Sequence, residues 1–295
     1  MTSDRTPVTV LGLGRMGATI AEVLLRNGHS VTVWNRSPGR APQLDTLGAV
    51  RADTLGEALR AGALTIVSVH NTEMVAELLH AVPDDLADRT VLNLSTGRPE
   101  DARELADWTT KRHGRFLDGS ILGMPETLGT PATTIVYSGS PEAEAEHHAT
   151  IAELGTAKHL GADTGLAAAH DLAVLAGMYG LFGGFFQAMA MMRREQASAT
   201  EFTRELLVPW LRSLLDTLPA LATQIDKDEF PPTMASVEEH QMIVRMILDA
   251  NRAQDLPTDL LDPVLALLDA GVARGNGTES LTRAVSVLLD HPVHA

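Results

Sequence analysis

The sequence predicts an α/β fold in which a doubly wound sheet is joined by a long helix to an all-α C-terminal domain. Three observations support this prediction. Short apolar runs alternate with amphipathic stretches between residue 7 and about residue 160, as in a sheet with helices on both faces. A glycine-rich turn follows the first apolar run. From residue 164 onward nearly every segment has helical periodicity.

The predicted strands are six runs rich in Val, Ile and Leu, which are too short for helices and typical of buried parallel strands. They are PVTVLGLG, HSVTVWN, ALTIVSV, RTVLNLS, GRFLDGSIL and TTIVYSG. The intervening segments ATIAEVLLRNG and PEDARELADWTTKRHG are predicted helices, since each ends in glycine and the second starts with proline. The change of pattern places a domain boundary near residue 160, between domains 1-160 and 161-295.

Composition limits the classes of function. The 295 residues carry a formal charge of −15, which argues against nucleic-acid binding because phosphate backbones are bound by basic surfaces. Cysteine is absent, so disulfides and thiolate metal sites are excluded and a reducing compartment fits. The first ten residues, MTSDRTPVTV, have no apolar core of a secretory signal. We expect a cytoplasmic protein that acts on small molecules.

The histidines give no sign of a metal site. His147 and His148 are neighbours and would point apart on a helix, and no H-E-x-x-H spacing occurs. We expect no metal.

One segment is apolar enough to suggest a membrane span. Leu172 to Met192 has the required length, and Gly180 and Gly184 form a GxxxG spacing. The run is single, however, and follows a predicted soluble domain, and a helix that is apolar all round can instead be buried inside a protein. We therefore expect an interdomain helix at about 164-194, buried between domains or between two subunits, and no membrane binding.

The strongest motif is the hexapeptide Gly12-Leu13-Gly14-Arg15-Met16-Gly17. It follows the apolar strand Val8–Leu11 and precedes the helical segment Ala18–Arg26, which is the context that a dinucleotide-binding turn requires. The first glycine permits the tight turn, the second lets the backbone approach a pyrophosphate, and the third lets helix and strand pack closely. The helix N-terminus would then face the phosphates. The motif predicts a Rossmann dinucleotide site.

The end of the second strand indicates which dinucleotide is bound. The run after Trp34 contains Asn35, Arg36, Ser37 and Arg40, and no acidic residue lies between positions 22 and 45. Enzymes that use NAD carry a carboxylate near this point, where it would repel a 2′-phosphate. Two guanidinium groups and a hydroxyl match a phosphate instead. We therefore expect NADP(H), although both arginines could be ordinary surface charges.

Two further loops follow strands of the predicted sheet. They contain Val69, His70 and Asn71 after one strand, and Asn93, Leu94, Ser95 and Thr96 after the next. Ligands of open α/β sheets bind at the carboxyl ends of the strands, so we expect these loops to line the nicotinamide ribose. Helix capping is the alternative role for Ser95 or Thr96.

Several segments resemble the β-hydroxyacid dehydrogenase superfamily, and within it the imine reductases and reductive aminases. They are LGLGRMG, the strand end NRS, NLSTGRPEDARELA, DGSILGMP and GADTGLAAAHDLAVLAGMYG. The similarity extends over the whole chain, and the segment from Gly161 to Gly180 is its most specific part.

The resemblance breaks at one catalytic position. The hydroxyacid dehydrogenases carry an acid/base lysine in a G-x-G-x-x-x-K segment early in the interdomain helix. With Gly165 on the first glycine, Asp171 takes the lysine's place and Ala167 replaces the second glycine. No lysine lies between Lys158 and Lys227, so a shift of the alignment does not restore one. A carboxylate would attract a cationic iminium nitrogen, which an ammonium would repel. A salt-bridged structural role for Asp171 is the alternative.

The resemblance implies a polar set of Asn93, Asp171 and Tyr179 that orients amine and iminium near the nicotinamide. Tyr179 lies eight residues after Asp171, just over two helical turns away and broadly on the same face. Four residues are candidates for a substrate pocket, although such side chains on helices are more often core: Met178, Phe182, Trp210 and His240.

The sequence therefore predicts an NADPH-dependent imine reductase (an oxidoreductase of the EC 1.5.1 type) with some reductive amination of carbonyls. The resemblance also implies a domain-swapped homodimer, in which each active site combines the Rossmann domain of one chain with the helical domain of the other. Two alternatives stay open: an NADP-dependent β-hydroxyacid dehydrogenase with a displaced acid/base, and a non-catalytic NADP-binding sensor.

Overall fold

The computed structural model describes residues 5–290, which form eight strands and thirteen α-helices. The strands are β1 (Val8–Leu11), β2 (Val31–Trp34), β3 (Val50–Arg51), β4 (Leu64–Val67), β5 (Thr90–Asn93), β6 (Arg115–Leu122), β7 (Thr134–Gly139) and β8 (Thr156–His159). The helices are α1 (Arg15–Arg26), α2 (Gln43–Thr46), α3 (Leu55–Ala61), α4 (Thr72–His80), α5 (Pro99–Thr110), α6 (Pro141–Ala152), α7 (Gly165–Arg194), α8 (Ala199–Phe202), α9 (Val208–Leu215), α10 (Leu218–Lys227), α11 (Val237–Ala253), α12 (Asp262–Ala273) and α13 (Ala284–Leu289).

All eight strands form one sheet in the order β3-β2-β1-β4-β5-β6-β7-β8. Every neighbouring pair is parallel except β6 and β7, which are antiparallel. The order reverses between β1 and β4, as in the dinucleotide-binding folds, where the crevice at the reversal holds the ligand. The predicted α/β class is confirmed, and the six apolar runs correspond to β1, β2 and β4 to β7. The edge strands β3 and β8 were not predicted.

The strands at the centre of the sheet are buried because both of their faces are covered. Every residue of β1, β4 and β5 is buried, as expected for parallel strands between two layers of helices. One face packs against α1 through Ile20 and Leu24, and the other packs against α3 and α4 through Leu59 and Leu79. These contacts fix the positions of the loops at the carboxyl ends of β1 and β4.

Two contacts attach the start of α7 to the sheet and to α5. The Arg103 guanidinium binds both carboxylate oxygens of Asp163 at 2.8 and 2.9 Å. This Arg103 contact and the Gly165 amide hold the pKa of Asp163 down, at about 2. On β7, the Ser138 hydroxyl donates to the Thr164 carbonyl oxygen and accepts from the Ala167 amide, at 2.9 and 3.0 Å. The first turns of α7 therefore have a defined position over the end of the sheet.

The chain divides into two compact units, the first ending at Ala176 and the second beginning at Gly177. The division falls inside α7, which matches the predicted helix at 164-194 to within one residue at its start. The second unit is helical, and α11 packs on α12 in it.

The apolar surface of α7 is largely exposed in the single chain. Val174, Leu181 and Phe186 are 51%, 47% and 60% exposed. Within residues 5–290, α7 is the one helix long and apolar enough to cross a membrane. Burial of this helix between domains or between two subunits stays a prediction.

Candidate active site

The glycine turn between β1 and α1 has the conformation that its sequence predicts. Gly12 has a φ of +91°, and a side chain there would place Cβ 2.2 Å from the Ser68 carbonyl oxygen. A Cβ on Gly17 would lie 1.9 Å from the Gly12 carbonyl oxygen. By contrast, a Cβ on Gly14 would meet no atom within 4 Å, and no side chain is hydrogen-bonded to the N-terminus of α1 as a cap. The first amides of α1 therefore face open space and can bind an anion.

A cavity of about 480 Å³ lies over this turn. It brings together twelve of the fifteen predicted cofactor residues: Gly12, Leu13, Gly14, Arg15, Met16, Gly17, Asn35, Arg36, Ser37, Arg40, Val69 and His70. Trp34, Ser68, Met74 and Leu78 complete its lining. The three predicted residues outside the lining are Asn71, Ser95 and Thr96. Residues of both the glycine turn and the end of β2 line the cavity, as they do where an adenine nucleotide binds in dinucleotide-binding folds.

Asn35 joins the two loops that line this cavity. Its Oδ1 accepts from the Leu13 amide at 2.9 Å, and its Nδ2 donates to the Ser37 carbonyl oxygen at 2.8 Å. The turn after β2 is thereby fixed against the glycine turn. The guanidinium groups of Arg36 and Arg40 are exposed at the rim, and Arg36 lies 3.5 Å from the Glu77 carboxylate.

The loops after β4 and β5 are bonded to each other. The Ser95 hydroxyl accepts from the Val69 amide at 3.0 Å, and the Thr96 carbonyl oxygen accepts from the Thr72 amide at 3.1 Å. Asn71 caps α4, with its Oδ1 accepting from the Met74 amide. The capping alternative for Ser95 and Thr96 is wrong, because α5 begins after Arg98.

Asn93 ends β5 and is completely buried. Its Oδ1 accepts from the Ser95 amide at 2.9 Å. Its Nδ2 donates to Asp118 Oδ1 at 2.8 Å, and it also lies 3.1 Å from Thr72 Oγ1 and 3.3 Å from the Ser95 carbonyl oxygen. Both ends of the amide are therefore engaged in hydrogen bonds within the described structure, and the side chain is not exposed in this conformation.

Asp118 on β6 is 2% exposed and faces Asn93 directly across the sheet. Burial raises the pKa of its carboxyl from 3.8 to about 7, the Asn93 hydrogen bond opposes that rise, and the nearby Asp171 charge adds to it. Desolvation and a like charge both disfavour the ionised form, whereas a hydrogen-bond donor favours it. Asp118 is thus a carboxyl group that changes charge near neutral pH.

Asp171 lies on α7 one turn after Ala167, whose amide is bound to β7. Its side chain is buried, at 5% exposed. Across residues 5–290 no basic side chain approaches it within salt-bridge distance, so the salt-bridged alternative finds no partner in the part of the chain that the structure describes. A buried carboxylate without a cation is costly and is therefore a strong candidate for binding a cationic ligand.

The remaining predicted residues lie in the second unit. Tyr179 is 66% exposed on α7 and packs edge-to-face on Phe182, with ring centroids 6.4 Å apart. Met178 and Phe182 are about 40% exposed on the same helix, whereas Trp210 and His240 lie on α9 and α11. Trp210 is 61% exposed. The roles of these residues in a substrate pocket stay predictions.

Comparison with known proteins identifies both parts of the chain. Residues 7–162 match the NAD binding domain of 6-phosphogluconate dehydrogenase, and residues 163–290 match the C-terminal domain of NADPH-dependent reductive aminase-like proteins. An NADPH-dependent reductive aminase from Aspergillus oryzae is 34% identical over 94% of this chain and 95% of its own.

Solved structures agree over nearly the full length. A reductive aminase from Aspergillus terreus, in complex with NADPH and ethyl-5-oxohexanoate, is 37% identical with a TM-score of 0.91, covering 96% of this chain and 99% of its own. An imine reductase from Myxococcus stipitatus in complex with NADP+ is 27% identical with a TM-score of 0.90, at the same coverage. The chain belongs to the imine reductase and reductive aminase family. The resemblance predicted from its sequence motifs is confirmed.

Two residues at this imine reductase site were missed by the sequence analysis. Asp118 and Ser138 are register partners on β6 and β7, and their importance depends on which residues face them. The segment DGSILGMP, which contains Asp118, was recognised as a family feature but no role was given to it. The one available signal was an acidic residue in the middle of the apolar run GRFLDGSIL, which follows the run containing Asn93 along the chain.

The raised pKa of Asp118 predicts how stability depends on pH. The folded protein binds the Asp118 proton more tightly than the unfolded chain between about pH 4 and pH 7, so the free energy of unfolding falls as pH rises through this window. Asp118→Asn removes the titration and keeps the shape. We expect the stability of this variant, relative to the wild type, to rise by about 2–4 kcal/mol from pH 5 to pH 8.

Urea unfolding at four pH values measures this difference. Asp107→Asn, on the exposed face of α5, is the matched control and should show a difference from wild type that does not change with pH. A flat difference for Asp118→Asn would contradict the burial of a titrating carboxyl.

Proposed function

We propose that this protein is an NADPH-dependent imine reductase that acts on cyclic imines and iminium ions and also carries out some reductive amination of carbonyls. The observation that carries the proposal is Asp171, a buried carboxylate without a basic partner in residues 5–290, in the place where the hydroxyacid dehydrogenases have a lysine. The relatives support it, because they are reductive aminases and imine reductases with NADPH or NADP+.

The residues of the cavity fit an NADP molecule. The open space above Gly14 and the free amides at the start of α1 suit the pyrophosphate. Arg36, Ser37 and Arg40 line the other end of the same cavity and suit the 2′-phosphate, since guanidinium groups bind phosphate through charge-assisted hydrogen bonds. We assign the nicotinamide end to the loops of Val69 to Asn71 and of Ser95 and Thr96. NADPH, when bound, supplies the hydride.

Asp171 would attract and orient the positively charged C=N group of the substrate. An iminium nitrogen is positively charged, and Asp171 has no basic partner within residues 5–290. The attraction between the two would be strong because Asp171 is buried away from water. A carboxylate hydrogen-bonded to the nitrogen can also hold or release the proton of that nitrogen. Tyr179 is eight residues further along α7, and its hydroxyl would be a second polar group for amine or carbonyl oxygen. Met178, Phe182, Trp210 and His240 are proposed to shape the substrate pocket.

We propose that the working unit is a homodimer with exchanged helical domains. The exposed apolar side chains of α7 support this, because a monomer seldom leaves so large an apolar surface in water. The partner would be a second copy of this chain, and the location would be cytoplasmic. The domain boundary near residue 160, just after the last strand of the sheet, belongs to the same proposal.

Asp171→Asn tests the proposed chemistry. We expect kcat/KM for a cyclic imine to fall by about 10²–10³-fold, because the charge that stabilises the iminium is lost. The dissociation constant of NADPH, measured by fluorescence, should change little. The exposed Asp107→Asn serves as control.

Wild-type enzyme that oxidises 3-hydroxy acids and reduces no imine would favour the dehydrogenase alternative. A wild type that binds NADPH but turns over no member of an imine panel would favour the sensor.

Arg36→Ala and Arg40→Ala test the choice of cofactor. Each removes a charge-assisted contact to the 2′-phosphate, so the preference for NADPH over NADH in kcat/KM should fall about 10–100-fold per variant. Arg26→Ala, at the far end of α1, should leave the preference unchanged. Equal losses with NADH and NADPH would show that the arginines do not contact the 2′-phosphate.

Phe186→Glu tests the dimer. Phe186 is 60% exposed and stacks on Phe182, so a charge at this position would be buried in the proposed interface at a cost of several kcal/mol. Sedimentation equilibrium should give a dimer for the wild type and a monomer for the variant at the same concentration. A monomeric wild type would contradict the proposal.

A further inference from the structure

A row of buried polar residues crosses three neighbouring strands below the start of α7. Asn93 on β5 is in register with Asp118 on β6, and Asp118 is in register with Ser138 on β7. All three are at most 2% exposed. Ser138 binds the first turn of α7, and Asp171 follows one turn later on that helix. The row therefore connects the sheet to the proposed substrate-binding carboxylate.

Two buried carboxyl groups, Asp118 in this row and Asp171 on the helix bound to it, form no salt bridge within residues 5–290. Asn93 donates the one hydrogen bond that the described residues give to the Asp118 carboxyl, and Ser138 is engaged with α7. The charge of Asp171 helps to raise the pKa of Asp118, after the larger effect of burial. Since neither carboxyl has a salt-bridge partner in residues 5–290, a charge on Asp118 is only weakly screened.

The other elements packed on β6 do not supply a compensating charge. On α5, Arg103 is bound to Asp163. On α6, Glu146 is bound to Arg115, three residues before Asp118. Burial lowers the pKa of His147 on the same helix, which disfavours a positive charge on its ring.

We propose that Asp118 is a positioning residue for the cationic substrate: held by Asn93 and in register with the Ser138 that binds the start of α7, it adds a second negative charge below the helix that carries Asp171 and so strengthens the hold of Asp171 on the iminium nitrogen. The inference rests on the imine reductase function proposed above.

The proposal has a signature in substrate binding. Asp118 is mainly neutral below about pH 7 and mainly charged above it, because burial raises its pKa to about 7. An N-methylated cyclic iminium ion has a positive charge that does not depend on pH. Its KM should therefore fall as pH rises from 6 to 8, while kcat stays nearly constant.

The experiment compares KM and kcat for this iminium ion at pH 6 and pH 8 in three proteins. We expect KM to fall by about 3–10-fold for the wild type, which is the effect of adding one partly screened negative charge near the binding site. Asp118→Asn should keep the higher KM at both pH values, with kcat within about twofold of wild type. The exposed Asp107→Asn should behave as the wild type. A fall in KM that persists in Asp118→Asn would overturn the proposal.

An infrared measurement on the wild-type protein without cofactor keeps the proposal testable if Asp118→Asn does not fold. A band from a buried protonated carboxylic acid should be present at pH 6 and lost by pH 8. The absence of such a band at pH 6 would overturn the role of Asp118. Failure of the proposed function would look different, because the wild type would then oxidise no NADPH with any iminium ion.

Discussion

Burial of carboxyl groups without cations is the constraint around which the candidate site is arranged. An isolated buried carboxylate costs several kcal/mol, and proteins normally supply a positive partner or let the group take up a proton. Here the Arg103 guanidinium is bound to Asp163 just before α7, and within residues 5–290 Asp118 receives only an amide donor from Asn93. Asp171 is buried without a basic partner in the same residues, so a cationic ligand would stabilise it.

Strand register fixes the positions of the polar residues in this part of the sheet. A shift of β6 by one residue would turn Asp118 to the opposite face of the sheet and separate it from Asn93, since side chains alternate between faces along a strand. The antiparallel pairing with β7 then sets Ser138 beside Asp118, and Ser138 fixes α7 through two hydrogen bonds. The same sheet therefore positions the glycine turn, at its order reversal, and the start of α7, at its β6–β7 end.

Local patterns were enough to predict the glycine turn, because the G-x-G-x-x-G spacing and its place between a strand and a helix are visible in the sequence. The contacts that require Gly12 and that join Asn35 to this turn come from distant parts of the chain, since Gly12 lies against Ser68 and Asn35 bonds Leu13. The edge strands were missed because their residues are not apolar runs: Val50 of β3 is 62% exposed, and β8 has the sequence TAKH. Asp118 was missed for a different reason. Its role depends on which strand lies beside β6 and in which register, and a single sequence does not contain that information.

The structure also changes how Asn93 can take part in the reaction. The family resemblance implies that Asn93 orients amine and iminium, yet its amide is completely buried and bonded at both ends. Breaking those bonds to reach a substrate would leave Asp118 without its donor, which costs about 1–3 kcal/mol for a buried polar group and more for a charged one. An indirect role has no such cost. We infer that Asn93 acts by holding the carboxyl group of Asp118, whose negative charge then adds to that of Asp171 at the substrate nitrogen.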